Sequence, residues 1–162
     1  MDRKWVTNSS PLIVLGKVSE ITLLNKLSSD LVVPEGVVQE LDQGPADDPA
    51  RTWLHLEGST FIRRLDKLPP LIVAWDLGKG ETEVISWAHL HSGYWAILDD
   101  RAARNCAFSL GIKVIGTLGV ILLAKREGIL PSVKPLLTSL MEYGFRIDGE
   151  TLRTVYELAD EE

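Results

Sequence analysis

Apolar residues in this chain gather in two ways: as short unbroken runs, and as positions spaced three and four apart. The runs are Trp5-Val6, Leu31-Val32-Val33 and Trp95-Ala96-Ile97-Leu98, followed by a shorter β-rich stretch from Lys113 to Ile115. Each is bounded by polar residues, glycine or proline, as strands covered on both faces are. Lys4 to Thr7 is therefore the first strand, and Leu31 to Val33, cut by Pro34, the second. Phe61-Ile62-Arg63-Arg64 alternates poorly and suits a third strand at an edge; Tyr94 to Leu98 and Lys113 to Ile115 are the fourth and fifth.

Helical spacing fills the gaps. A helix starts near Pro11, behind Asn8, Ser9 and Ser10, because Asn and Ser cap helices and proline fits a first turn. Ser19 reads as the cap of a second helix, Glu20 to Leu27. Pro34 to Leu41 is helical, with Glu40 among Val37, Val38 and Leu41. Asp42 to Ala50 is the most loop-like stretch, and Arg51 to Glu57 suits a short helix. Asp66 to Leu77, with its Pro69-Pro70, shows no clear pattern. Gly78-Lys79-Gly80 reads as a turn before a helix from Glu81 to Leu90. Ala102, Ala103, Cys106, Ala107 and Leu110 form a helix that Gly111 closes, and Thr117 to Arg126 form another that Gly128 stops. Ser132 to Tyr143 and Gly149 to Leu158 complete a helical C-terminal third.

Buried strands separated by helices imply a parallel sheet. The expected fold is α/β: a three-layer α/β/α sandwich around a central parallel sheet of four to five strands. With no repeat and no low-complexity linker, residues 1–162 read as a single domain, the helices from about 132 to 160 being an extension of it. Ligands of open parallel sheets bind beyond the carboxyl ends of the strands. The polar residues gathered there carry the candidate chemistry.

Composition narrows the field. A net charge of −6 is the wrong sign for a simple clamp on a phosphate backbone, although carboxylates that hold cations would themselves inflate the acidic count. Cys106, the one cysteine, lies on an apolar helix face and reads as a core residue. The opening MDRKWVTNSSPLIVLGK lacks a leader-like apolar core, and no run approaches membrane-spanning length, so the expected setting is a reducing cytoplasm with no membrane role.

At the expected strand ends stand Asn8 after strand one and Asp99 and Asp100 after strand four. Glu40 lies on the helix after strand two, and Glu81 opens a helix behind two glycines. If strands one and four are neighbours, these groups converge at the switch point of the sheet. Oxygen-only ligands suit Mg²⁺ or Mn²⁺, and carboxylate-held cations of that kind serve phosphodiester hydrolysis. Each residue also has a plainer reading: Asp99 or Asp100 as a helix cap, Glu81 as a macrodipole partner, Glu40 as a solvated side chain, Asn8 as the cap of the first helix. Arg101 and Arg104, three apart on one helix, either hold a substrate phosphate or pair with the carboxylates. His89 and His91 point to different faces, no nucleophile arrangement is visible, and Trp53, Trp75 and Trp87 read as packing.

Taken together, Val6-Thr7-Asn8-Ser9-Ser10-Pro11-Leu12-Ile13, Val33-Pro34 through Val38-Gln39-Glu40-Leu41, Gly78-Lys79-Gly80-Glu81-Thr82-Glu83, Leu98-Asp99-Asp100-Arg101-Ala102-Ala103-Arg104 and Gly116-Thr117-Leu118-Gly119 resemble a PIN-domain protein, of the branch related to VapC-type toxin ribonucleases. The resemblance implies an α/β/α sandwich and an endoribonuclease that uses one or two Mg²⁺ or Mn²⁺ ions. It implies Glu40, Glu81 and the Asp99–Asp100 pair as metal ligands; the register admits either aspartate, with Asp99 slightly preferred. Asn8 stands where most PIN domains have Asp, which keeps an oxygen ligand and removes a charge. Ser10, Arg101 and Arg104 are the expected substrate contacts. RNA is the expected substrate, and a small antitoxin and a second copy of the chain are the expected protein partners. The alternative is a catalytically weak or inactive PIN fold that binds RNA or protein.

Overall fold

Five short parallel strands build the sheet in the order β3-β2-β1-β4-β5: Lys4–Thr7 (β1), Asp30–Pro34 (β2), Ile62–Arg63 (β3), Tyr94–Ile97 (β4) and Val114–Ile115 (β5). The structure, a computed structural model, describes residues 2–162. In the register, Val6 stands between Val32 and Ala96, and Thr7 beside Ile97. Strands one and four are therefore neighbours, and the ends of β1 and β4 open side by side.

The helices are α1 (Ser9–Lys17), α2 (Leu23–Leu27), α3 (Glu35–Asp42), α4 (Pro49–His55), α5 (Pro70–Val73), α6 (Lys79–Leu90), α7 (Arg101–Ser109), α8 (Thr117–Arg126), α9 (Lys134–Glu142) and α10 (Gly149–Leu158), with a 3₁₀ turn at Glu57–Phe61. They flank the all-parallel sheet as an α/β sandwich. Its core holds Trp5, Val6, Leu31, Val33 and Ile97 from the strands, Leu98 just beyond β4, and Leu12, Val37, Ile85, Cys106, Val120 and Leu137 from the helices. Cys106 is buried, as its place on the apolar face requires, and burial raises its thiol pKa.

Several local expectations need correcting. Ser19 does not cap α2. It adopts a left-handed conformation, φ 60°, and closes α1, with the Ser19 N–H donating to Gly16 O and the Glu20 N–H to Leu15 O. This is a Schellman closure with serine in the usual glycine position; the chain turns out of helix there, and α2 starts only at Leu23. Gly111 and Gly128 close α7 and α8 in the same way, with φ values of 73° and 77°. The unpatterned Asp66–Leu77 stretch folds into the short α5, which buries Ile72 and leaves Leu71, Val73 and Trp75 exposed. Trp75 is thus not a packing residue of the core. Gly78-Lys79-Gly80 is not a turn: Gly78 is the extended N-cap of α6, and the helix is under way by Lys79.

The C-terminal helices are fastened by one carboxylate. Helix α9 follows Val133, whose side chain cannot cap it. Glu161 supplies what is missing: it accepts from Val133 N–H at 2.7 Å and Lys134 N–H at 3.3 Å, from the Ser132 hydroxyl, and from Lys125 Nζ at 2.8 Å. Burial pushes its carboxyl pKa up, but these donors together outweigh that and bring it down to about 2. Because the folded value lies below the unfolded one, the stabilisation is complete above the ordinary carboxylate range and is lost as pH falls toward 2. Glu161→Ala is expected to lower the melting temperature by roughly 4–8 °C at pH 7, from about 2 kcal/mol of lost charge-assisted bonding. Melts repeated at decreasing pH should show that deficit shrinking; a deficit of constant size would assign the effect to packing alone.

Candidate functional site

Asn8 is the first residue beyond β1, and its N–H donates to Ile97 O at 3.2 Å, which fixes it against the end of β4. It occupies the N-cap position of α1, yet its side chain makes no capping bond. Its Oδ1 is buried without a hydrogen-bond partner. A buried acceptor left unpaired costs about 1–3 kcal/mol, so capping of α1 does not account for this side chain.

What it faces is set by Gly80. A Cβ built there would stand 3.0 Å from Asn8 Oδ1 and only 2.1 Å from Glu40 Oε1. Glycine in the first turn of α6 is therefore needed for room, and neither Gly78 nor Gly80 has a positive φ. One residue earlier, a Cβ on Gly78 would lie 3.4 Å from Glu81 Oε1 and 3.6 Å from Glu40 Oε2. Helices α3 and α6 thus bring Glu40 and Glu81 to the rim of one hollow, with Asn8 at its floor. The Ser9 hydroxyl lies 3.5 Å from Glu40 Oε1. Ser10, the serine expected here, has no bond to these groups among the described residues.

The two aspartates point to different places. Asp99 gives both oxygens to the start of α8, accepting from the Thr117 N–H at 2.8 Å and its hydroxyl at 2.6 Å. Asp100 caps α7 with Oδ2, accepting from Ala103 N–H at 3.0 Å. Its charge is felt at Glu81, whose carboxyl is raised above its ordinary value by burial and by Asp100, against a lowering from the Gly78 N–H, and raised further by Glu40. So Asn8, Glu40 and Glu81 meet around Gly78 and Gly80, the charge of Asp100 acts on Glu81, and Asp99 is turned toward Thr117. The group is open: among the described residues no three Asp, Glu, His or Cys side chains close into a ready metal cage.

A raised folded pKa for a carboxylic acid means that ionised Glu81 opposes folding. Its contribution is favourable below the unfolded value and is lost as pH rises through the folded one. Glu81→Gln should therefore raise the melting temperature of the metal-free protein at pH 7, with the gain vanishing near pH 4. Melts in a chelator at both pH values check this; a loss of stability at pH 7 would contradict the electrostatic picture.

Does the neighbourhood suit a hard divalent cation? The donors are three carboxylates and one orphaned carboxamide oxygen, all of the class that Mg²⁺ and Mn²⁺ prefer. The room left by the missing β-carbon of Gly80 is filled by Glu40 Oε1, with Asn8 Oδ1 beside it. The residues fit. Asn8, Glu40, Glu81 and Asp100 are the side chains that would hold such an ion.

Arg101 is exposed on the first turn of α7, and Arg104 donates to Leu98 O at 3.0 Å, tying α7 back to β4. Arg104 also lines a cleft of about 480 Å³ with Asp99, Gly116, Phe145 and Arg146. Phe145 and Arg146 carried no sequence signal, because they come from the link between α9 and α10. Glu83 was visible only as a second acid two residues beyond Glu81. A hollow of about 390 Å³ beside Trp5, Trp95 and Leu122 lies away from the carboxylates and takes no part in this site.

A family model described as a PIN domain matches residues 4–161 of the chain. No curated protein and no solved structure matches it.

Proposed function

The chain belongs to the PIN-domain family, whose fold is a nuclease fold, and from that premise we propose that it is an endoribonuclease dependent on Mg²⁺ or Mn²⁺. The observation that carries the reading is the buried, unpartnered Asn8 Oδ1 beside the Glu40 carboxylate, which sits in the room that the missing β-carbon of Gly80 leaves. Glu40, Glu81 and Asp100 would hold the cation, and Asn8 would contribute its carboxamide oxygen. Bound there, the ion would polarise a phosphoryl oxygen and lower the pKa of an attacking water. Asp99 holds the end of β4 against the start of α8. Arg104 and Arg146 supply positive charge along the neighbouring cleft, whose size is in the range of small-ligand sites and accommodates a nucleotide. Their charge offsets the repulsion between RNA and a chain of net charge −6.

The toxin role belongs to the same proposal. A small antitoxin would silence the enzyme by bringing a basic residue to the acidic hollow, and a second copy of the chain would pair through exposed apolar residues. The free, buried Cys106 is in keeping with a cytoplasmic setting.

Asn8 favours one other reading. A neutral residue in place of a carboxylate, in a group that is not drawn together without metal, suits a degraded site that binds RNA or protein without cutting. Labelled structured RNA incubated with the protein, with and without Mn²⁺, separates the two. Cleavage that needs Mn²⁺ and disappears in Glu40→Gln is the expected result. Cleavage that survives Glu40→Gln would sink the nuclease assignment, and no cleavage by the folded parent would leave the binding module. Asn8→Asp restores the charge, and activity should rise if metal affinity is what limits it.

A further inference from the structure

We propose that Glu83 is a positioning residue: its buried carboxylate locks the start of α3 to α6 and so fixes the separation of Glu40 from Glu81. The proposal rests on the reading of the hollow as a cation centre. Glu83 follows Glu81 by two residues, which on a helix sends the two side chains to different faces. Glu81 lines the hollow; Glu83 is only 8 % exposed.

Its Oε1 accepts from the Gly36 N–H at 2.9 Å. Gly36 is the second residue of α3, and that helix follows Pro34, which has no side-chain cap to offer. A Cβ on Gly36 would meet Glu83 Oε2 at 2.4 Å and Cδ at 2.6 Å, so the carboxylate fills the place of that side chain. No ion pair to Glu83 occurs among the described residues. A glutamate this buried is rarely tolerated without a partner, and the positive end of α3 is the partner here. The bond joins the two helices that carry Glu40 and Glu81, about one turn before Glu40 on α3 and two residues after Glu81 on α6. A shift of α3 along α6 would move Glu40 relative to both Gly80 and Asn8.

The test uses full-length protein, Mn²⁺ and two substitutions that reach the same contact from opposite sides. Glu83→Ala removes the carboxylate, and Gly36→Ala keeps it but displaces it. Both should lower Mn²⁺ affinity in calorimetric titration and kcat for RNA cleavage by roughly 10–100-fold, with KM for RNA unchanged. Glu83→Gln, which keeps an acceptor of the same length, should recover most of the loss. Equal Mn²⁺ affinity and kcat in the parent and in both alanine variants would overturn the proposal. So would failure of both variants to fold, since Glu83 would then serve stability alone; if only Glu83→Ala fails, Gly36→Ala decides. A metal-free crystal structure of Gly36→Ala supplies a readout that needs no activity. Glu40 is expected to leave its seat at Gly80, and an unmoved Glu40 overturns the proposal even if the parent binds no Mn²⁺. A parent that neither binds Mn²⁺ nor cleaves, with Glu40 displaced in that variant, would end the nuclease reading and keep the mechanical link.

Discussion

Gly80→Ala is expected to lower RNA cleavage by at least about a hundredfold while the melting temperature stays within a few degrees of the parent. A β-carbon at this position would lie 2.1 Å from Glu40 Oε1 and 3.0 Å from Asn8 Oδ1, far inside contact distance. The clash falls on the tip of a flexible side chain, so Glu40 swings away and the backbone is spared. Alanine is also the better helix former, by about 0.5–1 kcal/mol, which helps the first turn of α6. Function and stability should therefore part company. Thermal melts, Mn²⁺ titration and cleavage on the same preparation check this. Cleavage at the parental rate would show that Glu40 does not act from this seat. A large fall in melting temperature would show that the backbone yielded instead.

The two adjacent aspartates should separate just as sharply. Asp100→Asn is expected to reduce cleavage by at least about a hundredfold with little change in stability, because asparagine caps a helix about as well as aspartate. Asp99→Ala should do the reverse. It deletes two charge-assisted bonds to Thr117 and strands their donors, a loss of about 2–4 kcal/mol or roughly 5–15 °C in melting temperature. The protein that remains folded should still cleave. If Asp99→Ala instead abolished cleavage in a fully stable protein, the two residues would exchange roles.

In the sequence either aspartate is admissible, with Asp99 slightly preferred, and the structure shows what separates the two. Both residues follow the same apolar run, and both precede α7. Their directions differ because the start of α8 lies beside one of them, a contact 18 residues away in sequence. The same blindness to distant partners explains the other omissions. Strands β1, β2 and β4, and helices α8 and α10 end to end, could be read because buried runs, periodicity and closing glycines are local signals. The capping of α3, α8 and α9 could not be read: each follows a residue with no capping side chain, Pro34, Gly116 or Val133, and each borrows a carboxylate from elsewhere, Glu83, Asp99 or Glu161. Ser9 rather than Ser10 reaches Glu40, because α1 starts at Ser9 rather than near Pro11 and neighbouring side chains on a helix point about 100° apart. Gly80 was noticed for the wrong property: glycine was valued for its freedom to turn, and what matters at this position is the absent β-carbon.

The sheet itself constrains how anything docks. Its two outer strands, Ile62–Arg63 and Val114–Ile115, are two residues long, so neither border offers more than a rung or two of free backbone. An extended peptide could not zip onto such a border, and neighbouring molecules have little to template on. Any protein that recognises this molecule must therefore read side chains. Leu71, Val73 and Trp75, on and just after α5, are among the apolar side chains left exposed for such reading.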